Sequence, residues 1–160
     1  MIKLPAGIGY EPDPLDVRYR RNLRGLLQRI KKLYDGIVER FGDEGLQVIR
    51  DVSTEYGREI AERVREREGP MDIKQVGLFI VKMFDNMRAE GEVTEFTDER
   101  IAIAVPQCPY PLERVDICRA HTTMEEALVT GLNPDLEYFI EKSIPAGDGA
   151  CVHVIRRKSR

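Results

Sequence analysis

From Leu15 to Phe41, apolar side chains recur at three- and four-residue steps: Leu23, Leu26, Leu27, Ile30, Leu33, Tyr34, Ile37, Val38 and Phe41. That period predicts an amphipathic helix over 15–41, with Gly25 and Gly36 as its weak points. Gly42 suits a left-handed stop, and Asp43 stands where it can cap the next helix. The second helix is predicted to run to about Glu68. Its inward set is Leu46, Ile49, Val52, Tyr56, Ile60 and Val64, and its outer surface is rich in arginine and glutamate. Gly69-Pro70 ends it. Asp72 then caps a third helix over 73–90, closed by Gly91, whose stripe of Val76, Phe79, Ile80, Met83, Phe84 and Met87 reads as core.

Beyond Gly91 the period changes to two. Residues 92–97 and 100–106 predict a hairpin with Ile101, Ile103 and Val105 on one face. Three prolines in PQCPYP (106–111) stiffen a loop around Cys108. Residues 115–131 read as a helix ending at Gly131, and residues 136–144 and 150–157 as a second hairpin across Pro145-Ala146-Gly147-Asp148-Gly149. The fold class is therefore α+β: an N-terminal helical half, then a small antiparallel sheet with one inserted helix. It forms a single domain over 1–160, with residues 1–14, proline- and glycine-containing, as an extended arm.

Composition narrows the function. A chain of 160 residues is long enough to bury a core of its own. Charged residues make up 33 % but nearly cancel, to a net −3, which excludes a disordered polyion. The start of the chain lacks the apolar run of a secretory signal, and no segment approaches the ~20 apolar residues of a membrane span. The expectation is a cytoplasmic protein without a membrane partner, its thiols reduced. Three cysteines, an odd number, also argue against a disulfide framework. A basic run, RYRRNLRGLLQRIKK (18–32), admits a nucleic-acid patch. It reads better as the wet face opposite the apolar stripe, and no nucleic-acid partner is expected. The arm and the amphipathic first helix together leave room for a homodimer.

Candidate chemistry is confined to one stretch. All three cysteines (Cys108, Cys118, Cys151) and both histidines (His121, His153) lie between 108 and 153. On a strand, Cys151 and His153 share a face; on a helix, Cys118 and His121 stand three apart and share another. Three elements thus offer thiolate and imidazole. One reading is a metal site of Cys108, Cys118, Cys151 and His121, for zinc or another late transition metal. A second pairs Cys151 with His121 or His153 as an activated nucleophile. A third makes the cysteines plain core. Asp148 is either a turn residue or a group that orients a ligand or a histidine. No Gly-x-Ser-x-Gly elbow is present.

The order Cys108-Pro109, Cys118, Gly131-Leu132-Asn133-Pro134, then Ile144 through Gly147-Asp148 to Cys151 resembles the L-2-amino-thiazoline-4-carboxylate hydrolase-like family. That group in turn looks related to 4-vinyl reductase-type small-ligand domains. The resemblance covers roughly residues 92–156. It implies hydrolytic opening of a cyclic amidine C–N bond, with Cys108, Cys118 and Cys151 at the matching positions and Asp148 beside them; His121 and His153 join by proximity. Arg114 and Arg119, near the cysteines in sequence, are candidates to hold a substrate carboxylate. The alternative is a non-enzymatic, sensor-type domain that binds a small ligand or a metal through the same residues.

Overall fold

A computed structural model describes residues 11–159; the arm expected over 1–14 lies mostly outside them. The helical half consists of α1 (Leu15–Phe41), α2 (Asp43–Glu68) and α3 (Ile73–Asn86). Strands β1 (Glu90–Phe96) and β2 (Arg100–Gln107) follow, then α4 (Val115–His121), α5 (Thr123–Leu132), β3 (Leu136–Lys142), a 3-10 turn at 144–146 and β4 (Cys151–Arg157). The α+β class and the hairpin plan hold. Both hairpins join through β2 and β4 in an antiparallel sheet of order β1-β2-β4-β3.

Several local expectations are corrected. Helix α1 runs unbroken through Gly25 and Gly36. Gly42, at φ +56°, ends it as expected, but Asp43 is the first residue of α2 and Gly42 itself precedes that helix without a side-chain cap. At α3 the expected cap is present in full: Asp72 accepts from the Gln75 amide, and Gln75 Oε1 accepts from the Asp72 amide, each at 2.9 Å. That helix stops at Asn86, not near residue 90, and the chain turns through Arg88 at φ +55°. Gly91 belongs to β1. A Cβ there would lie 2.4 Å from the Ala104 carbonyl oxygen, so the glycine permits strand contact and does not close the helix.

The segment expected as one helix over 115–131 is two. Thr122 separates α4 from α5, and the hydroxyls of Thr122 and Thr123 donate to the carbonyls of Arg119 and Ala120, at 3.3 and 2.9 Å. Such back-bonding competes with the helical ladder and bends the chain. In α2, Val52 and Tyr56 are exposed, while Ser53, Gly57 and Ala61 are buried. The reason is α5, which lies on α2 at backbone distance along these small residues.

Odd-numbered residues of β2 and β4 face α3. Ile101 is opposite Ile155, Ile103 opposite His153, and Val105 opposite Cys151. Ile101, Ile103, Val105 and Ile155 join Val76, Ile80, Leu128 and Leu136 in the main core. A smaller core beneath α1 contains Val38, Leu46, Ile49, Ile117 and Ala120. The sheet's other face carries ion pairs, Arg100 to Glu95 and Glu141 and Arg156 to Glu137.

Candidate functional site

Strand alternation sets the floor of a cavity. Cys151 and His153 point from β4 toward α3 beside Val105 and Ile140, because residues two apart on a strand share a face. The last turns of α3 supply Met83, Phe84 and Met87. The proline-stiffened loop after β2 supplies Cys108 and Tyr110, and the α4–α5 bend supplies Cys118, Met124 and Glu125. These walls enclose about 240 Å³. A wider cleft of about 600 Å³ beside the C-terminal half of α2 is lined by arginines and glutamates and contains none of the cysteines or histidines.

All three cysteines therefore line one cavity, as the metal reading requires. Burial and mutual repulsion favour the neutral thiol at Cys108 and Cys118. Burial pushes Cys108 up to about 11, with Cys151 and Cys118 adding repulsion, although the residue as a whole is exposed at the rim. Cys118, buried, is raised by the same two causes. Cys151 is buried, and its sulfur accepts a hydrogen bond from the Ile144 amide at 3.4 Å. A chain amide on the sulfur fixes where the thiol stands.

The histidines separate. His153 lines the cavity, its ring edge-on to Phe84 at 4.7 Å and its Nδ1 2.6 Å from the Tyr138 hydroxyl. Desolvation lowers it to about 4, so it is a neutral imidazole at neutral pH. His121 is not in the cavity wall. It lies between Tyr34 and Tyr110, with Nδ1 3.3 Å from the Tyr34 hydroxyl, and burial lowers it as well to about 4. Among the described residues, no group of three or more His, Cys, Asp or Glu side chains is arranged to hold a metal ion. The soft donors that suit zinc thus share a cavity without converging on one point.

The remaining sequence candidates lie elsewhere. Asp148 accepts from the Ser143 amide at 2.8 Å and closes the turn before β4, next to Gly147 at φ +100°. Arg114 pairs with Asp116 on the surface. Arg119 borders an outer groove that also contains Asp148, Glu126, Glu137 and Glu141. None of the three lines the thiol cavity.

The residue that sequence reading missed is Glu125. It is 6 % exposed, it lines the cavity, and its Oε2 has no hydrogen-bond partner. Desolvation raises its carboxyl to about 8, so near neutral pH it is largely the uncharged acid, with a donor and an acceptor to offer. A signal was present. Glu125 stands four residues after His121 and three and four before Leu128 and Val129, all three of them buried.

No protein-family model matches the chain, and no curated protein matches it. Solved structures do. A trafficking protein particle complex subunit 3 from Naegleria fowleri, covalently bound to palmitic acid, superposes with a TM-score of 0.61 at 14 % identity, over 88 % of this chain and 97 % of that one. The phenol-responsive sensory domain of the transcription activator PoxR, with phenol, gives 0.55 at 9 % identity, over 82 % of this chain and 74 % of that one. At these identities the likeness is one of fold. Among the described residues no helix is long and apolar enough to cross a membrane.

Proposed function

We propose that this chain is a ligand-binding domain of the sensor type, and that it takes one small, mostly apolar molecule into the thiol-lined cavity. The observation that carries the reading is Glu125: a buried carboxyl whose Oε2 has no partner, in the wall of a largely apolar cavity. Leaving such a group unsatisfied costs about 1–3 kcal/mol, and a ligand hydroxyl or amide would recover part of it. Size limits the class. An apolar cavity of about 150 Å³ accepts benzene, so about 240 Å³ suits one substituted ring. The aromatic side chains of Phe84 and Tyr110 and three methionine side chains in the wall suit an aromatic guest. Both fold neighbours were solved with a small or apolar ligand, phenol in one and palmitic acid in the other.

The hydrolytic reading has less support. Attack by a thiolate needs a depressed thiol, and Cys108 and Cys118 are raised. The neutral His153 beside Cys151 is the feature that favours it, as a base.

Calorimetric titration of the purified chain with phenol and other monocyclic aromatics tests the proposal. One saturable site per chain is expected, lost or weakened at least ten-fold in Glu125→Leu. Absence of saturable binding across the series would overturn it. Turnover of L-2-amino-thiazoline-4-carboxylate by the same preparation would replace it with the hydrolase reading.

A further inference from the structure

Helix α1 uses only part of its apolar surface within its own molecule. Leu27 and Val38 are buried, and Tyr34 packs on the small core with them. A second strip is only partly used: Leu26 and Leu33 are 59 % and 54 % exposed, and Leu23, Ile30 and Ile37 are half-buried, Ile37 against Gly45 of α2. Tyr19, 43 % exposed, continues it toward the N-terminus, with its hydroxyl donating to the Asn86 carbonyl at the end of α3.

The spacing of that strip is 19, 23, 26, 30, 33, 37, an unbroken alternation of four and three. It places Leu23, Ile30 and Ile37 at position a of a heptad and Tyr19, Leu26 and Leu33 at position d. An alternating 3–4 seam is narrower than the face by which a helix lies on a globular core, and it is the width that one other helix covers. Over Leu26–Ile37 the seam has Ile at a and Leu at d, the combination that favours two parallel strands. The flanks are compatible. In a parallel pair Asn22 would stand opposite the partner's Leu27 position and Arg29 opposite its Tyr34 position, so no like charges meet there. Most of the basic residues, Arg21, Arg24 and Lys32 among them, lie on the opposite side of the helix wheel from the seam.

We propose that α1 is a self-association helix and that two copies of this chain pair α1 against α1, in parallel, as a short two-stranded coiled coil. The occupant of the strip is its own copy because a sequence with both a and d apolar is complementary to itself. The seam from Tyr19 to Ile37 extends about 27 Å, and a contact of that length falls below about 1,200 Å², in the range of weak, reversible interfaces. Association is therefore expected at micromolar concentrations.

Sedimentation velocity of the full chain between 5 and 100 µM tests this. The expected result is a monomer–dimer equilibrium, with the dimer at least ten-fold weaker in the double variant Leu26→Glu/Leu33→Glu. Both positions are exposed in the monomer, so that variant should keep the wild-type circular dichroism and melting temperature. A wild-type chain that is monomeric throughout, or a double variant that dimerises unchanged, overturns the proposal. So does a monomeric chain that co-sediments with phosphatidylserine-containing vesicles, which would make α1 an interfacial helix. Orientation is read from Leu26→Cys in a Cys108→Ser background: a parallel pair brings the two new thiols to the same height and cross-links on mild oxidation. A dimer that fails to cross-link refutes the parallel arrangement.

Discussion

The backbone of Met124 passes so close to Gly57 that a Cβ on the glycine would lie 2.2 Å from the Met124 carbonyl oxygen. One turn further along α2, the Ala61 side chain would lie 2.6 Å from a Cβ on Gly131. Helix α5 is thus seated on α2 by a seam of small residues. The seat matters for the site because the residue after Met124 is Glu125, and its place in the cavity wall is set by how deep α5 sits.

Substituting Gly57→Ala should force that seat open. The obstacle is backbone and not the end of a flexible side chain, so relief requires α5 to move. Overpacking of this kind costs about 1–3 kcal/mol. Thermal unfolding should show the loss, and titration with an aromatic probe should show weakened binding at temperatures where the variant is still folded. Gly36→Ala, in open space on α1, should do neither.

Glu125 separates recognition from stability. Glu125→Gln keeps a donor and an acceptor of nearly the same shape, and its affinity for a hydroxyl-bearing ring should stay within a few-fold. Glu125→Leu removes the hydrogen-bonding group and should weaken binding ten-fold or more. The same change abolishes an unsatisfied buried carboxyl, so the unliganded protein should gain about 1 kcal/mol. Chemical denaturation of both variants checks the second half of the statement.

The thiols should be slow. Cys108 is exposed at the rim, yet its raised pKa of about 11 leaves little thiolate at neutral pH. Its reaction with a disulfide reagent should accelerate close to ten-fold per pH unit between pH 7 and 9, and a bound aromatic probe should suppress it. Cys118 and Cys151, both buried, should react only as the protein opens. A fast-reacting thiol at pH 7 would return attention to nucleophilic chemistry.

The contrast at Asp148 is of a different kind. Its carboxylate accepts the Ser143 amide and so braces the turn that presents Cys151. Asp148→Ala should cost about 1 kcal/mol and leave probe affinity unchanged, whereas a catalytic or orienting role would show as lost binding or turnover.

What the sequence made legible, and what it hid, divides along physical lines. Periodicity located α1, α2 and both hairpins because large apolar residues mark a buried face. It misplaced Val52 and Tyr56 because the face of α2 that meets α5 is built from Ser53, Gly57 and Ala61, which carry no hydropathy signal. The division at Thr122 escaped notice because its cause is a pair of hydroxyl-to-carbonyl bonds within an otherwise helical run. Grouping the cysteines by sequence confinement did anticipate their common cavity. The same rule admitted His121, which α4 carries toward Tyr34 and Tyr110, and it passed over Glu125 because one acid among 28 acidic residues draws no notice until its neighbours are known to be buried.

Three buried titrating groups should give the fold a stability optimum in pH. His121 and His153 sit near 4 in the folded chain against an ordinary 6.5, so between those values the unfolded chain binds two protons that the folded one refuses. Stability therefore rises with pH across that window. Glu125 acts in the opposite sense. Its folded pKa of about 8 lies above its ordinary 4.5, so the folded chain retains a proton that the unfolded chain has lost, and stability falls as pH rises toward 8. Below pH 6.5 the two histidines outweigh the one acid; above it the acid acts alone. The optimum should lie near pH 6.5, with a decline of about 2 kcal/mol by pH 8, at up to about 1.4 kcal/mol per unit. Denaturant unfolding of wild type and Glu125→Gln between pH 5 and 8.5 checks this. The alkaline decline should vanish in Glu125→Gln while the rise from pH 5 steepens, since only the histidines then titrate. A wild-type curve flat from 6.5 to 8, or a decline that survives the substitution, would show that the Glu125 carboxyl does not carry its proton in the folded state.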